Sequence, residues 1–267
     1  MEHPRRDPAS PLGGHHAVVT GGGRGIGKAI AVELARLGAD VTLMGRDSAV
    51  LQACAEMLGA THGTKVGTQQ VDLTSPGSVA SAFERARSDL GPVTILVNNA
   101  GIAHSAPFDR TTLDRWQEIL AVDLTGPFLC IQQVLAPMLA AGGGRIVNIA
   151  STSGMTGCAY VTAYCAAKHG LIGLTRSLAI EVARRGVTVN AVCPGFTDTE
   201  MVSRSIENIV AKTGRSAEQA LAELVSHNPQ RRLIDPEEVA SAVGWLCLPA
   251  SRSVTGQSLL VAGGELM

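Results

Sequence analysis

The chain has 267 residues, 45% of them hydrophobic and 17% charged, with a formal net charge of -1 at pH 7. That is enough apolar material for one substantial α/β core. The near-neutral balance, with Lys and Arg scattered, gives a nucleic-acid or membrane-surface role no electrostatic support, and aromatics at 3% are too few for base-stacking platforms.

Residues 1–14 are polar and rich in Pro and Gly, which predicts a disordered leader lacking the apolar stretch of a secretory signal. A single domain is then expected over 15–267. Ala17-Val18-Val19-Thr20 reads as a buried strand running into a Gly-rich turn. A helix from Gly27 to Leu37 follows, closed by Gly38. Further strands are predicted at Val41 to Met44, Val66 to Val71, Val93 to Val97, Arg145 to Ile149, Thr188 to Val192 and Ser258 to Val261. Helix-length amphipathic segments separate them, and no uninterrupted apolar run approaches the ~18 residues of a membrane span. Residues 197–230 break the rhythm with polar, loosely helical sequence, as a substrate lid would. Asp235-Pro236-Glu237-Glu238 then restarts a helix with an N-cap, a proline at N1 and a capping-box glutamate. Strand–helix alternation of this kind implies a doubly wound, mainly parallel sheet flanked by helices on both faces, with ligands beyond the carboxyl ends of its strands.

Cys54, Cys130, Cys158, Cys165, Cys193 and Cys247 form no C-x-x-C pair and no cluster with zinc spacing. They read as reduced thiols of a cytoplasmic protein, and no metal site is expected.

The turn Thr20-Gly21-Gly22-Gly23-Arg24-Gly25-Ile26-Gly27 has its glycines spaced G-x-x-x-G-x-G. Glycines there let the backbone approach a pyrophosphate at a helix N-terminus, which assigns Gly21, Arg24, Gly25, Ile26 and Gly27 to a dinucleotide. After the second strand, Gly45 stands where an acidic residue would bind a ribose 2′-OH, and Arg46 follows it. That favours NADP(H), with Arg24 as a second phosphate ligand. The alternative is NAD(H), with Asp47 as the ribose ligand.

Tyr164 and Lys168 lie four apart on a helical segment and so share a face. A tyrosine needs a nearby cation to act as acid or base near neutrality, and an ammonium supplies one. Ser151 follows the strand ending at Ile149, at a carboxyl end where this architecture places its chemistry.

With TGGGRGIG (20–27), Asp72, NNAG (98–101), Ser151, YCAAK (164–168) and PGFTDT (194–199) in order, the chain resembles the short-chain dehydrogenase/reductase family, a single Rossmann-type domain. The closing RRLIDPEEVA (231–240) and TGQSLLVAGG (255–264) fit the same pattern. The resemblance implies that Tyr164 is the general acid or base, that Lys168 lowers its pKa and binds the nicotinamide ribose, and that Ser151 holds the substrate oxygen. Asp72 would contact the adenine and Asn98 the adenosine ribose side, while Pro194, Gly195 and Thr199 would line the nicotinamide pocket. One departure stands out: Asp123 occupies the place of an asparagine that in the family helps relay protons to the lysine. GRIVNIASTSG (144–154) and TVNAVCPGFTDTEM (188–201) look most like 3-oxoacyl thioester reductases. The expected substrate is therefore a 3-oxoacyl or 3-hydroxyacyl group, linked to CoA or a carrier protein. A dehydrogenase of a free cyclic or aromatic secondary alcohol is the second reading, and a non-catalytic dinucleotide sensor the third. Family habit also implies a homotetramer built on the C-terminal segment and two long central helices.

Overall fold

The sheet begins with β1, His16–Thr20, which is buried along its whole length, as an apolar run in the middle of a parallel sheet must be. The structure, a computed structural model, describes residues 10–266. Six more strands follow: β2 (Asp40–Gly45), β3 (Val66–Gln70), β4 (Ile95–Asn98), β5 (Gly144–Ile149), β6 (Val187–Pro194) and β7 (Ser258–Val261). They form one sheet in the order β3-β2-β1-β4-β5-β6-β7, and every neighbouring pair is parallel. The chain winds outward from β1 to β3, then crosses back to lay β4 on the other side of β1. That reversal opens a crevice at the carboxyl ends of β1 and β4, the place where such sheets bind ligands.

The helices are α1 (Gly25–Arg36), α2 (Ser48–His62), α3 (Pro76–Leu90), α4 (Leu113–Leu120), α5 (Gly126–Ala141), α6 (Thr162–Val182), α7 (Glu200–Thr213), α8 (Ala217–Leu224) and α9 (Pro236–Cys247). They cover both faces. Ile30 and Leu34 of α1, Leu51 and Leu58 of α2, and Val243 and Leu246 of α9 fill one core. Phe83 of α3, Val134 and Met138 of α5, and Leu178 and Val182 of α6 fill the other. The capping box predicted at Asp235 and Glu238 starts α9, with Pro236 in its first turn. The segment expected to be loosely helical folds as α7 and α8, the second opened by its own capping box at Ser216 and Gln219.

Between α4 and α5 the helix widens into a π-helical turn, Ala121–Thr125. Pro127 lies in the first turn of α5. It has no N–H to return to the carbonyl four residues earlier, that of Asp123, so the regular ladder cannot run through this point.

Two expectations need correction. Residues 1–9 of the predicted leader lie outside the described residues, but 10–14 do not form a disordered tail. Leu12 is 1% exposed, and its N–H donates to the Leu37 carbonyl at 2.9 Å, tying the segment beneath the end of α1. One apolar side chain among prolines and glycines suffices to anchor it. In addition, Leu113–Ala141 is long and apolar enough to cross a membrane by length and composition. Polar residues punctuate α4, so no uninterrupted apolar run marks the stretch. In this fold the α5 part packs on α3 and the sheet.

Candidate active site

The Gly-rich turn joins β1 to α1 at the crevice. Gly21 and Gly25 adopt positive φ, 64° and 52°, a conformation that L side chains rarely tolerate. A Cβ at Gly27 would fall well inside contact distance of the Gly21 carbonyl oxygen and the Asn99 side-chain nitrogen. Nδ2 of Asn99 donates to the carbonyls of Thr20 and Gly21, at 2.9 and 3.3 Å. The Thr20 hydroxyl accepts from the N–H groups of Asn99 and Ala100. The turn is thus clamped to the end of β4. No side chain caps α1 and no acidic residue sits in its first turn, so the N–H groups of Gly25, Ile26 and Gly27 suit an anionic phosphate.

The cationic side of the crevice is less simple than expected. Arg46 is exposed just beyond β2. Asp47 accepts from the N–H groups of Ala49 and Val50 as the N-cap of α2. Arg24 is held by Glu200 at 3.0 Å, and Asp47 stands 3.7 Å from it. The Asp72 carboxylate accepts from the N–H and hydroxyl of Thr74. Those bonds hold its pKa below the ordinary value, helped by the charge of Arg46.

The role expected of Asn98 needs correction. Its side chain is buried and donates to the Asn148 carboxamide oxygen at 2.9 Å. Asn148 in turn donates to the Thr175 hydroxyl, and Thr175 to the Leu171 carbonyl. Asn98 is the first link of a polar chain running through the core to α6, so its side chain does not reach toward a ribose. Asn99, which the sequence reading left without a role, braces the Gly-rich turn instead.

Ser151 follows β5 in extended backbone, and its Oγ accepts from the Ser153 N–H at 3.1 Å. A hydroxyl that accepts from the backbone keeps its own proton to donate. Tyr164 and Lys168 sit one turn apart near the start of α6, and Lys168 Nζ lies 5.4 Å from the Tyr164 ring centre. Nζ also donates to the Ile149 carbonyl at 3.0 Å and stands 3.3 Å from Asp123 Oδ2. Asp123 projects from the π turn, fully buried, and its Oδ1 accepts from the Ile102 N–H at 2.9 Å. Burial raises the Asp123 pKa, opposed by the Lys168 charge and the Ile102 bond. Burial alone would lower the Lys168 pKa, but Asp123 and Tyr164 reverse the direction and raise it. Tyr164 is raised by burial, drawn down by Lys168, pushed up by Asp123 and drawn down by a Ser151 hydrogen bond. The resulting arrangement can hold a proton at the Tyr164 oxygen and stabilise its loss.

Pro194 ends β6, and the Gly195 N–H donates to Val261 of β7 at 3.1 Å. Thr199 packs its methyl where a Gly25 Cβ would point, at 3.1 Å, so the segment after β6 rests on the Gly-rich turn. The structure therefore gathers Gly21, Arg24, Gly25, Ile26, Gly27 and Thr199 at one end of the crevice, and Ser151, Tyr164, Lys168 and Asp123 at the other. Among the described residues, no group of three His, Cys, Asp or Glu could hold a metal ion. Sequence reading missed Glu265, beyond the last strand, whose carboxylate lies beside Gly195; its only signal was the Gly263-Gly264 pair before it.

A family model described as short chain dehydrogenase matches residues 15–209. The D-beta-hydroxybutyrate dehydrogenase of Cupriavidus necator is 39% identical, over 95% of this chain and 98% of its own. The 3-oxoacyl-(acyl-carrier-protein) reductase FabG of Aquifex aeolicus is 41% identical, over 95% and 98%. A solved variant of the actinorhodin polyketide ketoreductase, with NADPH, superposes with a TM-score of 0.91 at 36% identity, covering 96% of this chain and 98% of that one.

Proposed function

Because this chain belongs to the short-chain dehydrogenase family, and is an oxidoreductase acting on a carbonyl group, we propose that it reduces a 3-oxoacyl thioester with NADPH. The observation carrying the reading is the cluster of Ser151, Tyr164 and Lys168 at one end of the crevice, with the clamped glycine turn at its other end. When bound, the nicotinamide supplies or accepts the hydride. Gly21, Gly25, Ile26 and Gly27 would hold the pyrophosphate, Lys168 the nicotinamide ribose, and Pro194, Gly195 and Thr199 the nicotinamide side. Asp72 would meet the adenine. Ser151 donates to the substrate oxygen, where negative charge develops. Tyr164 delivers its phenolic proton to that oxygen, and the Lys168 ammonium stabilises the phenolate left behind. Asp123 tempers this second effect, because an anion 3.3 Å from Nζ offsets part of its field at the phenol. The positions of Ser151, Tyr164 and Lys168 favour catalysis over a sensor without chemistry.

The choice of NADP(H) rests on the ends of β2. Asp47, which would select NAD(H), uses Oδ1 to cap α2 and has Oδ2 3.7 Å from Arg24. Arg46 is exposed just past β2, its charge acting on Asp72, which supports a role for it toward a 2′-phosphate. Arg46→Ala should weaken NADPH binding by roughly 1.5–3 kcal/mol, as for a lost charged hydrogen bond, and hardly affect NADH. Titration of both dinucleotides by fluorescence checks this, and equal losses would remove Arg46 from phosphate recognition.

The relatives divide between a free hydroxy acid and a carrier-bound 3-oxoacyl group, and the likeness of stretches 144–154 and 188–201 to 3-oxoacyl thioester reductases favours the second. Turnover of CoA and carrier-protein thioesters against cyclic ketones, followed at the nicotinamide absorbance, tests the choice. Assembly as a homotetramer is part of the same reading. Phe128 of α5 and Ile180 of α6 are 44% and 81% exposed, and large apolar side chains on two central helices favour burial against another copy. Light scattering should return the tetramer mass at micromolar protein; a monomer mass would refute it. A cytoplasmic location belongs here too, supported by cysteines that mostly sit in the core.

A further inference from the structure

The C-terminal segment brings a carboxylate to the catalytic side of the sheet. Beyond β7, Gly263 and Gly264 take φ of 59° and 90°, a reversal that glycines make without strain. The Glu265 N–H closes the turn on the Ala262 carbonyl at 3.1 Å. Its side chain then lies against Gly195, where an added Cβ would stand 2.8 Å from Glu265 Oε2. Burial raises its pKa, while the Thr152 side chain and the charge of His227 draw it back down toward the carboxylate form. The Cys158 thiol, in the loop between Ser151 and Tyr164, feels its charge as well. Glu265 therefore sits between the chain neighbour of Ser151 and the segment following Pro194, and the proton transfer assigned to Tyr164 makes no use of it.

We propose that the Glu265 carboxylate is a specificity element, turning away free 3-oxo acids and admitting their neutral esters and thioesters. A 3-oxo acid carries its carboxylate two carbons from the reacting carbonyl. A 3-oxo acid whose carbonyl meets Ser151 and Tyr164 would bring that acid group toward the side where Glu265 rests on Gly195. Among the described residues, His227 is the group whose charge acts on Glu265, and like charges brought together in a partly desolvated cleft repel strongly. A thioester brings no charge to that position and meets no such penalty. This inference rests on the 3-oxoacyl reading and names which form of that substrate the site accepts.

The test compares Glu265→Gln with the wild type on acetoacetate and on its N-acetylcysteamine thioester, with NADPH. Removing the charge while keeping the shape should raise kcat/KM for acetoacetate by roughly tenfold or more, chiefly through KM. The thioester should change by less than about threefold. A merely structural role for Glu265, bracing the chain end on Thr152, would alter both substrates together, and that result overturns the proposal. If neither protein turns over either compound, the 3-oxoacyl reading falls. The same pair is then titrated against the NADPH complex by cofactor fluorescence. There a relative affinity for the two compounds that is unchanged by the substitution overturns the role of Glu265 independently.

Discussion

Tyr164→Phe should lower kcat by at least ~100-fold, the usual contribution of a positioned general acid, while dinucleotide affinity stays nearly intact. The ring that packs beside Lys168 is preserved and only the proton is removed. The pH profile separates this role from simple packing. In alcohol oxidation the phenolate is the base, so the rate climbs as pH rises and Tyr164 loses its proton. Burial and Asp123 raise that pKa, whereas Lys168 and Ser151 draw it down, and the outcome is a raised value. The rising limb should therefore lie on the alkaline side, and it should disappear in the Phe variant. Steady-state kinetics in both directions, with direct binding of the dinucleotide, give the measurement. Turnover within a few-fold of the wild type would take the proton transfer away from Tyr164.

Lys168→Met should destabilise the fold by about 3–5 kcal/mol near neutral pH, the cost of leaving one member of a buried ion pair alone. Asp123 is fully buried, and without its partner the carboxylate can escape the penalty only by taking a proton. Its folded pKa is already raised by burial and rises further once Lys168 is gone. A group whose pKa is higher in the folded state favours folding below its unfolded value, and loses that contribution as pH climbs through the folded value. The defect should therefore be small in mild acid and full at neutral and alkaline pH. Adding Asp123→Asn, which can still accept from the Ile102 N–H, should recover most of the loss. Urea unfolding of the three proteins at two pH values decides it. A defect of the same size at both would mean that the carboxylate is not the source.

Much of the fold was legible because buried parallel strands read as short apolar runs, and the seven lie within two residues of where those runs begin and end. The glycine turn, Ser151, Tyr164 and Lys168 were legible for a different reason: each is tied to a strand end or a helix turn by local spacing. What escaped depended on direction. Successive side chains in a strand point to opposite faces, so of Asn98 and Asn99 only one could face the crevice, and spacing does not say which. β4 runs one residue further than predicted, to Asn98, and that single step commits the Asn98 side chain to the core. Leu12 and Glu265 were missed because each owes its place to a partner far along the chain, Leu37 in one case and Gly195 in the other. Arg24 was placed at the Gly-rich end of the crevice, but its pairing with Glu200 of α7 joins residues that no local pattern relates.

The widened turn at Ala121–Thr125 has a mechanical result. One surplus residue rotates everything after it by about 100° relative to an unbroken helix, like two cams set at different angles on one shaft. Ahead of the slip, Trp116 and Ile119 bear on Ala163, Tyr164 and Ala167, one wall of α6. Past it, Cys130, Ile131 and Val134 bear on Phe83 and the underside of the sheet. Asp123 emerges from the step between the two angles, with a line to Lys168 that neither helical face would have given it.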